Sequence, residues 1–241
     1  MSNINLVRPT TFQLHKILDT ASAHAKSSSP AFILDDEQEQ AKRALLTMRR
    51  GPIRYRRNNT IVCEGDPTDY VFLIVDGTVR SCRTFHDGTR SIVAFHLIGE
   101  LFGWTDKLKH SLSVEAATDA MILFFKRSVL LSIASHEGKI ASFLLKATTK
   151  ELHRVQEHSL LLSRSAKCRV ASFLVDLSMR TGNPKCIELP MSHQDIADHL
   201  GLTIETVSRT ITAMQRSGLI ARASSRTLIV LNRAALLRMM N

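Results

Sequence analysis

The chain has 241 residues, 44% of them hydrophobic and 22% charged, which is enough for two ordinary globular domains joined by a connector. No stretch approaches the roughly 20 apolar residues that cross a membrane and no secretion-signal pattern is found, so we expect a cytoplasmic protein without membrane contact. With 32 Lys and Arg against 22 Asp and Glu, the formal charge of +10 suits a polyanionic partner such as DNA.

The cysteines and the catalytic motifs argue against further classes of protein. Four cysteines, at positions 63, 82, 168 and 186, form no CxxC pair or cluster, so neither a metal site nor a disulfide framework is predicted. The chain has no Walker loop, HExxH or GxSxG motif, so an enzyme is not expected. Cys186 is either a small packing residue or a thiol that is sensitive to oxidation.

The N-terminal region divides into an arm and a helix. Residues 1–34 lack sustained periodicity and are predicted to be a flexible arm. The run DDEQEQAKRALLTMRR, residues 35–50, has acids in its first turn and bases in its last, which matches the dipole of a helix. Gly51 and Pro52 are expected to end that helix.

An antiparallel β-roll is predicted after this helix, and the two together make a sensor-like domain over residues 35–127. Short β-rich runs alternate here with turn dipeptides such as Asp76-Gly77 and Asp87-Gly88. Regular turns between short strands are typical of a roll or a barrel.

A long helix is predicted over residues 128–163. Apolar residues with a 4,3 spacing give it a stripe suited to pairing with the same helix of a second copy. The proposed dimerisation residues are Leu145, Thr148, Leu152, Val155, Ser159 and Leu162. A second apolar set can face the roll at the same time: Ile140, Phe143, Leu144, Leu160 and Leu161. The alternative is that the first stripe packs on its own β domain.

Residues 164–241 are predicted to form a winged helix-turn-helix. Ser192 and Asp195 begin a first helix with a capping-box pattern. Gly201 permits a left-handed turn, and Thr203 caps a second helix. The segment LIARASSRTLIVLN that follows alternates apolar and polar residues, as a β-hairpin wing does.

The second helix carries the candidate base-reading residues Glu205, Ser208 and Arg209. An arginine donates two hydrogen bonds to guanine, a glutamate accepts from cytosine, and a serine does either. The N-terminal part of a recognition helix is the part that enters the major groove. Contacts with the DNA backbone are predicted for Ser192, His193, Gln194, Thr203, Thr206, Thr212, Arg222 and Arg226. A solvated helix face is the alternative interpretation of these polar residues.

Three segments resemble the Crp/Fnr family of bacterial transcription regulators: EGDPTDYVFLIVDGTVR (64–80), IGELFG (98–103) and LPMSHQDIADHLGLTIETVSRTI (189–211). The resemblance covers about residues 50–235. It implies an α+β chain with an N-terminal antiparallel β-roll similar to cyclic-nucleotide-binding domains, a long dimerisation helix and a C-terminal winged helix-turn-helix.

The family resemblance also implies a partner and a target. Its members are homodimers that bind double-stranded DNA and contact RNA polymerase, more often as activators. The E-x-x-S-R arrangement at Glu205, Ser208 and Arg209 is similar to that of the Fnr and FixK branches. By that resemblance the target looks like the palindrome TTGAT-N4-ATCAA.

The resemblance bears on the signal as well. Fnr proteins carry an N-terminal cysteine cluster for an iron-sulfur centre, and this chain has no cysteine before Cys63. Cyclic-AMP-binding members place an Arg-Ser pair after their Gly-Glu, whereas the counterparts here are His110 and Ser111. We therefore expect a FixK-like regulator that needs no cofactor. The alternative is an effector-gated sensor with a cyclic nucleotide or haem in its β-roll. The ten histidines leave the haem ligand open, and His96, in the run IVAFHLIG, is read first as a core or pocket histidine.

Overall fold

A computed structural model describes residues 50–240 of the chain. The arm predicted over residues 1–34 and the helix predicted over residues 35–50 lie outside this range, apart from Arg50. That residue begins the first strand, and Gly51 and Pro52 lie within the same strand rather than at a helix end.

Strands and helices follow one another in three groups. Eight strands come first: β1 (Arg50–Tyr55), β2 (Thr60–Val62), β3 (Tyr70–Asp76), β4 (Val79–Thr84), β5 (Arg90–His96), β6 (Leu101–Phe102), β7 (Ser113–Ala116) and β8 (Ala120–Lys126). Two helices follow, α1 (Arg127–Ala134) and α2 (Gly138–Leu161). The last group is α3 (Ala166–Arg180), β9 (Cys186–Glu188), α4 (His193–Leu200), α5 (Ile204–Arg216), β10 (Ile220–Arg222), β11 (Thr227–Val230) and α6 (Arg233–Arg238). Within residues 50–240, no helix is both long and apolar enough to cross a membrane.

The first eight strands form two antiparallel four-stranded sheets, in the orders β1-β8-β3-β6 and β2-β7-β4-β5. Successive side chains of a strand point to opposite faces. On β3, Phe72 and Ile74 therefore pack between the two sheets, whereas Val71 and Leu73 face the helices. The predicted antiparallel roll is confirmed, and with it the α+β class.

Two helices, rather than one, follow the roll. Residues 135–137 separate α1 from α2, and Glu137 has extended backbone angles. The Ser135 hydroxyl donates a hydrogen bond to the Ser132 carbonyl at 2.7 Å. The helix predicted over residues 128–163 is therefore interrupted at this point.

The apolar set predicted to face the roll is only partly right. Ile140, Phe143 and Leu144 are buried in one cluster with residues of β3 and β8. Leu161 is half-buried and packs on the core of the C-terminal part. Leu160 is 68% exposed, so its assignment to this set is wrong. Consecutive residues of a helix point about 100° apart, so burying Leu161 turns Leu160 into solvent.

The core of the C-terminal part continues into the β-roll. Leu174 of α3, Ile196 of α4 and Ile211 of α5 belong to one buried cluster, and Ile92 and Phe95 of strand β5 belong to the same cluster. A three-stranded sheet in the order β10-β11-β9 closes the C-terminal part. The helix-turn-helix is therefore packed directly against one sheet of the roll.

Candidate nucleic-acid interface

Helix α4, the first of the helix-turn-helix, begins with a complete capping box. The Ser192 hydroxyl accepts a hydrogen bond from the Asp195 backbone N–H at 3.0 Å, and the Asp195 carboxylate accepts from the Ser192 backbone N–H at 3.1 Å. Two donors that a helix start would otherwise leave unpaired are thereby satisfied. The capping box predicted from the sequence is confirmed. The Ser192 hydroxyl, a predicted DNA contact, is therefore hydrogen-bonded within the start of α4.

A left-handed glycine and a threonine cap make the turn between α4 and α5. Gly201 has φ 60° and ψ 43°, a left-handed backbone conformation that is unfavourable for residues with a Cβ atom. The Thr203 hydroxyl accepts a hydrogen bond from the Thr206 backbone N–H at 3.2 Å. Leu202, between them, packs on the buried core. The turn predicted at these residues is confirmed.

Replacing Gly201 by Ala is expected to lower the free energy of unfolding by about 1 kcal/mol, through backbone strain. A Cβ at this position would meet Arg169 at 3.5 Å and Leu162 at 3.8 Å, which are ordinary contacts rather than clashes. Gly138→Ala is the matched control, because Gly138 lies at the start of α2, outside the left-handed region and with open space at its Cβ position. Urea unfolding of both variants tests this; a Gly201→Ala midpoint equal to that of Gly138→Ala would contradict it.

Helix α5 buries one face and exposes the other. Val207, Ile211 and Met214 are buried against the core, whereas Glu205 and Arg209 are exposed. Glu205 lies in the first turn, where the helix dipole favours an acid. Two of the three predicted base-reading side chains are therefore accessible near the N-terminus of the helix.

Ser208, the third predicted base-reading residue, is half-buried and has a partner within the protein. Its hydroxyl lies 3.2 Å from Nδ1 of His193 on α4. Burial and the positive charge of Arg222 on the wing lower the pKa of His193. The first and second helices, which the sequence suggested as separate DNA contacts, are thus joined through His193 and Ser208, and Arg222 of the wing lies within range of their electrostatic field.

Three other predicted backbone-contacting residues use their side chains within the module. The Thr206 hydroxyl lies 3.0 Å from that of Thr203, and the Thr212 hydroxyl donates to a backbone carbonyl one turn earlier at 2.9 Å. The Gln194 amide donates to Asp198 at 2.6 Å. These contacts hold the side chains in place along α4 and α5.

The predicted wing is an antiparallel hairpin of β10 and β11. Arg222 ends β10 and Arg226 immediately precedes β11, and both arginines are exposed. Strand β11 also pairs with β9, where Leu228 lies opposite Ile187. The two guanidinium groups are therefore carried on a hairpin that is anchored to the strand preceding α4.

The candidate redox residue, Cys186, lies next to this hairpin. It is half-buried in β9, opposite Ile229 of β11, and its backbone N–H donates to the Asn183 side chain at 3.0 Å. Its oxidation would place a polar group beside the wing strand. A redox role for Cys186 stays a prediction.

The predicted dimerisation residues are exposed on α2 and at its C-cap. Leu145 is 69% exposed, Leu152 57% and Val155 45%, and Leu162 at the C-cap is exposed as well. Thr148 and Ser159, between them, are also exposed. The alternative that this stripe packs on its own β domain is therefore wrong.

Two family models match the chain. The Cyclic nucleotide-binding domain model matches residues 52–137, and the Crp-like helix-turn-helix domain model matches residues 168–239. The nitrogen fixation regulation protein FixK of Azorhizobium caulinodans is 41% identical over 208 residues, which cover 83% of this chain and 84% of the relative. The chain belongs to the Crp/Fnr family, in its FixK-like branch.

Other Crp/Fnr regulators are similar over most of their length. FnrL of Cereibacter sphaeroides, a transcriptional activator protein, is 32% identical over 192 residues, which cover 76% of this chain and 77% of the relative. The solved structure of FixK2 from Bradyrhizobium japonicum has a TM-score of 0.76 at 36% identity, covering 80% of this chain and 98% of that one. This Crp/Fnr protein is accordingly a DNA-binding transcription regulator and not an enzyme.

Glu100 is the counterpart of the glutamate in the Gly-Glu pair of the family's nucleotide-binding members, and its carboxylate makes its contacts within the chain. Its carboxylate accepts hydrogen bonds from Arg154 and from Arg180, each at 2.8 Å. Burial alone would raise the pKa of Glu100, but the guanidinium groups of Arg180 and Arg154 lower it to about 2. This carboxylate therefore joins the roll to α2 and α3.

The counterparts of the family's Arg-Ser pair do not form a phosphate site either. His110 is buried near Phe72, and its backbone carbonyl accepts from the Gly65 N–H at 2.8 Å. Arg83 donates to the Ser111 carbonyl, but it is paired with Glu64. A cyclic nucleotide thus does not fit the residues present.

The haem alternative finds no better support. His96 is buried, and its Nε2 lies 2.9 Å from the Ser81 hydroxyl, so the imidazole is held within the core of the roll. Among residues 50–240, no group of three His, Cys, Asp or Glu side chains is placed to hold a metal ion directly, which concerns ions and not haem.

Two groups of ion pairs between the domains were missed by the reasoning from sequence. One is centred on Glu100 and the other on Arg80, which is only 5% exposed within strand β4. Burying a guanidinium group is costly unless a carboxylate pairs with it, so Arg80 requires an acidic partner. Its partner, Asp195, is 115 residues away, and nothing local in the sequence identifies it.

His199, at the end of α4, is a half-buried histidine at the same domain boundary. Its Nδ1 donates to the Ile92 carbonyl at 2.9 Å, and its ring stacks on that of His158 with centroids 4.1 Å apart. Burial, and then the charges of His158 and Arg180, lower the pKa of His199 to about 3.

The stability contributed by His199 is therefore expected to be complete above its usual pKa of 6.5 and to decline as the pH falls toward 3. Between pH 7.5 and 5.5, one such proton costs about 1 kcal/mol of unfolding free energy. His199→Gln removes that part of the decline, whereas His86→Gln, on an exposed turn, leaves it intact. Urea unfolding at the two pH values measures the difference; an unchanged pH dependence in His199→Gln would count against this assignment.

Proposed function

We propose that this protein acts in the cytoplasm as a homodimer that binds a TTGAT-N4-ATCAA-like inverted repeat and recruits RNA polymerase as an activator. The observation that carries the proposal is the exposed Glu205 and Arg209 face of α5, on a chain that also exposes the apolar stripe of α2. A single helix-turn-helix makes too few contacts for tight specific binding, whereas two on a twofold axis read an inverted repeat.

Each recognition residue has a chemical role in this proposal. Arg209 donates to the guanine of each half-site, and Glu205 accepts from a cytosine amino group. Ser208 contacts a base while His193 orients its hydroxyl. The exposed Arg222 and Arg226 on the wing pair with phosphates, which fixes the register of the module without specifying sequence.

The proposal includes that the protein binds DNA without a small-molecule effector. Support comes from Glu100, whose carboxylate is bound by Arg154 and Arg180, and from the absence of an arginine at the His110 position. The activator role is supported by the relative FnrL, which is a transcriptional activator protein.

Fluorescence anisotropy with three duplexes tests the proposal: the intact repeat, a scrambled repeat and a single half-site. We expect a preference for the intact repeat over the scrambled one on the order of 1,000-fold, with steep salt dependence. Added cyclic AMP or haem is expected to change nothing. Equal affinity for intact and scrambled repeats would overturn the proposal, and binding only with an added ligand would favour the effector-gated alternative.

A further inference from the structure

The face of the β-roll that carries strands β4 and β5 is joined to helix α4 by buried charges. Arg80 donates to Asp195 Oδ1 at 3.0 Å and to Glu115 Oε2 at 2.7 Å. Arg90 donates to the same Asp195 oxygen at 2.7 Å and to Asp198 at 2.8 Å. Since Asp195 is only 2% exposed, solvent screens these contacts little.

The two carboxylate oxygens of Asp195 serve two different structures. Oδ2 accepts from the backbone and the hydroxyl of Ser192 and so closes the capping box of α4. Oδ1 accepts from Arg80 and Arg90 of the roll. One side chain thus links the start of the helix-turn-helix to the β domain.

Helix α4 in turn fixes the recognition helix. Ile196 and Leu200 of α4 are buried in one cluster with Val207 of α5, and His193 reaches Ser208. The roll is also attached to α2 and α3 through Glu100, Arg154 and Arg180. The orientation of α5 relative to α2, the proposed dimer helix, therefore depends on both attachments.

We propose that Arg80, a β-roll residue outside every DNA-binding motif, is a positioning residue that sets which half-site spacing the homodimer accepts. The inference rests on the proposed function. In a symmetric dimer, each extra base pair between half-sites moves one target by about 3.4 Å and rotates it by roughly 35°. A dimer whose recognition helices are rigidly held cannot follow that displacement, whereas a dimer with a loosened attachment can.

Arg80→Gln removes one of the two cations on Asp195, while Arg90, the shared apolar cluster and the attachment through Glu100 remain. The DNA-binding part is therefore expected to be held less rigidly on the roll and not to separate from it. Arg80→Lys keeps the charge and serves as the conservative rescue. Arg83→Gln is the matched control, since Arg83 lies on the same strand but pairs with Glu64 of the roll and not with helix α4.

The experiment measures the affinity of each full-length protein for duplexes with two to six base pairs between half-sites, and for a single half-site. The unaltered protein is expected to prefer one spacing by at least about tenfold over its neighbours. In Arg80→Gln that ratio is expected to fall toward one, with single half-site affinity unchanged within about twofold. Arg80→Lys and Arg83→Gln are expected to keep the spacing preference.

An Arg80→Gln protein that keeps the spacing preference overturns the inference and leaves the proposed function standing. Equal loss on all duplexes by a folded Arg80→Gln protein, the single half-site included, also overturns it, because Arg80 would then affect DNA binding in general and not the spacing. Should Arg80→Gln fail to fold, Arg90→Gln removes the other cation on Asp195 Oδ1 and is judged by the same ratio. If the unaltered protein shows no preference for paired half-sites, the proposed function itself fails.

Discussion

Leu152→Asp is expected to convert the protein to a monomer and to abolish preferential binding to the inverted repeat. Leu152 is 57% exposed in the single chain, at the centre of the apolar stripe on α2. Burying one leucine is worth about 1.5–3 kcal/mol, and a twofold axis doubles this to about 3–6 kcal/mol. The substitution also places two carboxylates in one apolar seam, so dimer affinity is expected to fall by at least about 100-fold.

Analytical ultracentrifugation measures the oligomeric state, and anisotropy with the repeat and with a single half-site measures the functional consequence. Leu131→Asp is the matched control, because Leu131 is also an exposed helical leucine but lies on α1, off the stripe. It is expected to remain a dimer. A dimeric Leu152→Asp protein with intact specificity would show that α2 is not the dimer helix.

The helix-turn-helix could be predicted closely because its determinants are local. The cap at Ser192, the glycine turn at 201 and the cap at Thr203 lie within 12 residues of one another. Each position has a requirement that few residue types meet. A helix start needs a side-chain acceptor such as a hydroxyl for its unpaired N–H groups, and a backbone at positive φ favours glycine. The structure places each of them where the sequence predicted it.

The interruption between α1 and α2 was harder to predict, because apolar spacing continues across it. Ala134, Gly138 and Ala141 fit the 4,3 pattern, yet the chain leaves the helix at residues 135–137. Small residues satisfy almost any pattern while contributing little burial. The break lies in the extended backbone of Glu137, which the spacing of apolar residues does not register.

The boundary between the domains could not be predicted at all, for a physical reason. Arg80 and Asp195 are 115 residues apart, and Glu100 and Arg180 are 80 apart. A buried ion pair depends on three-dimensional geometry, and the sequence shows only that each member is charged. For Asp195 in particular, the local sequence predicts only a helix cap, and nothing near it indicates a partner for its second carboxylate oxygen.

Arg209→Ala is expected to remove the discrimination of the guanine in each half-site. The residue is exposed on the second turn of α5, where a guanidinium can donate to guanine O6 and N7. Losing such a contact costs about 1–3 kcal/mol per half-site, and so about 2–6 kcal/mol for a dimer on the full repeat. Replacing the G·C pair of each half-site by A·T should weaken DNA binding by the unaltered protein by a similar amount and leave DNA binding by Arg209→Ala almost unaffected.

Arg216→Ala is the matched control, because Arg216 is exposed in the last turn of the same helix, away from its N-terminal end. A uniform loss on specific and random DNA would instead assign Arg209 to the phosphate backbone. If Arg209 contacts the guanine, the loss from changing both the residue and the base pair is smaller than the sum of the two separate losses.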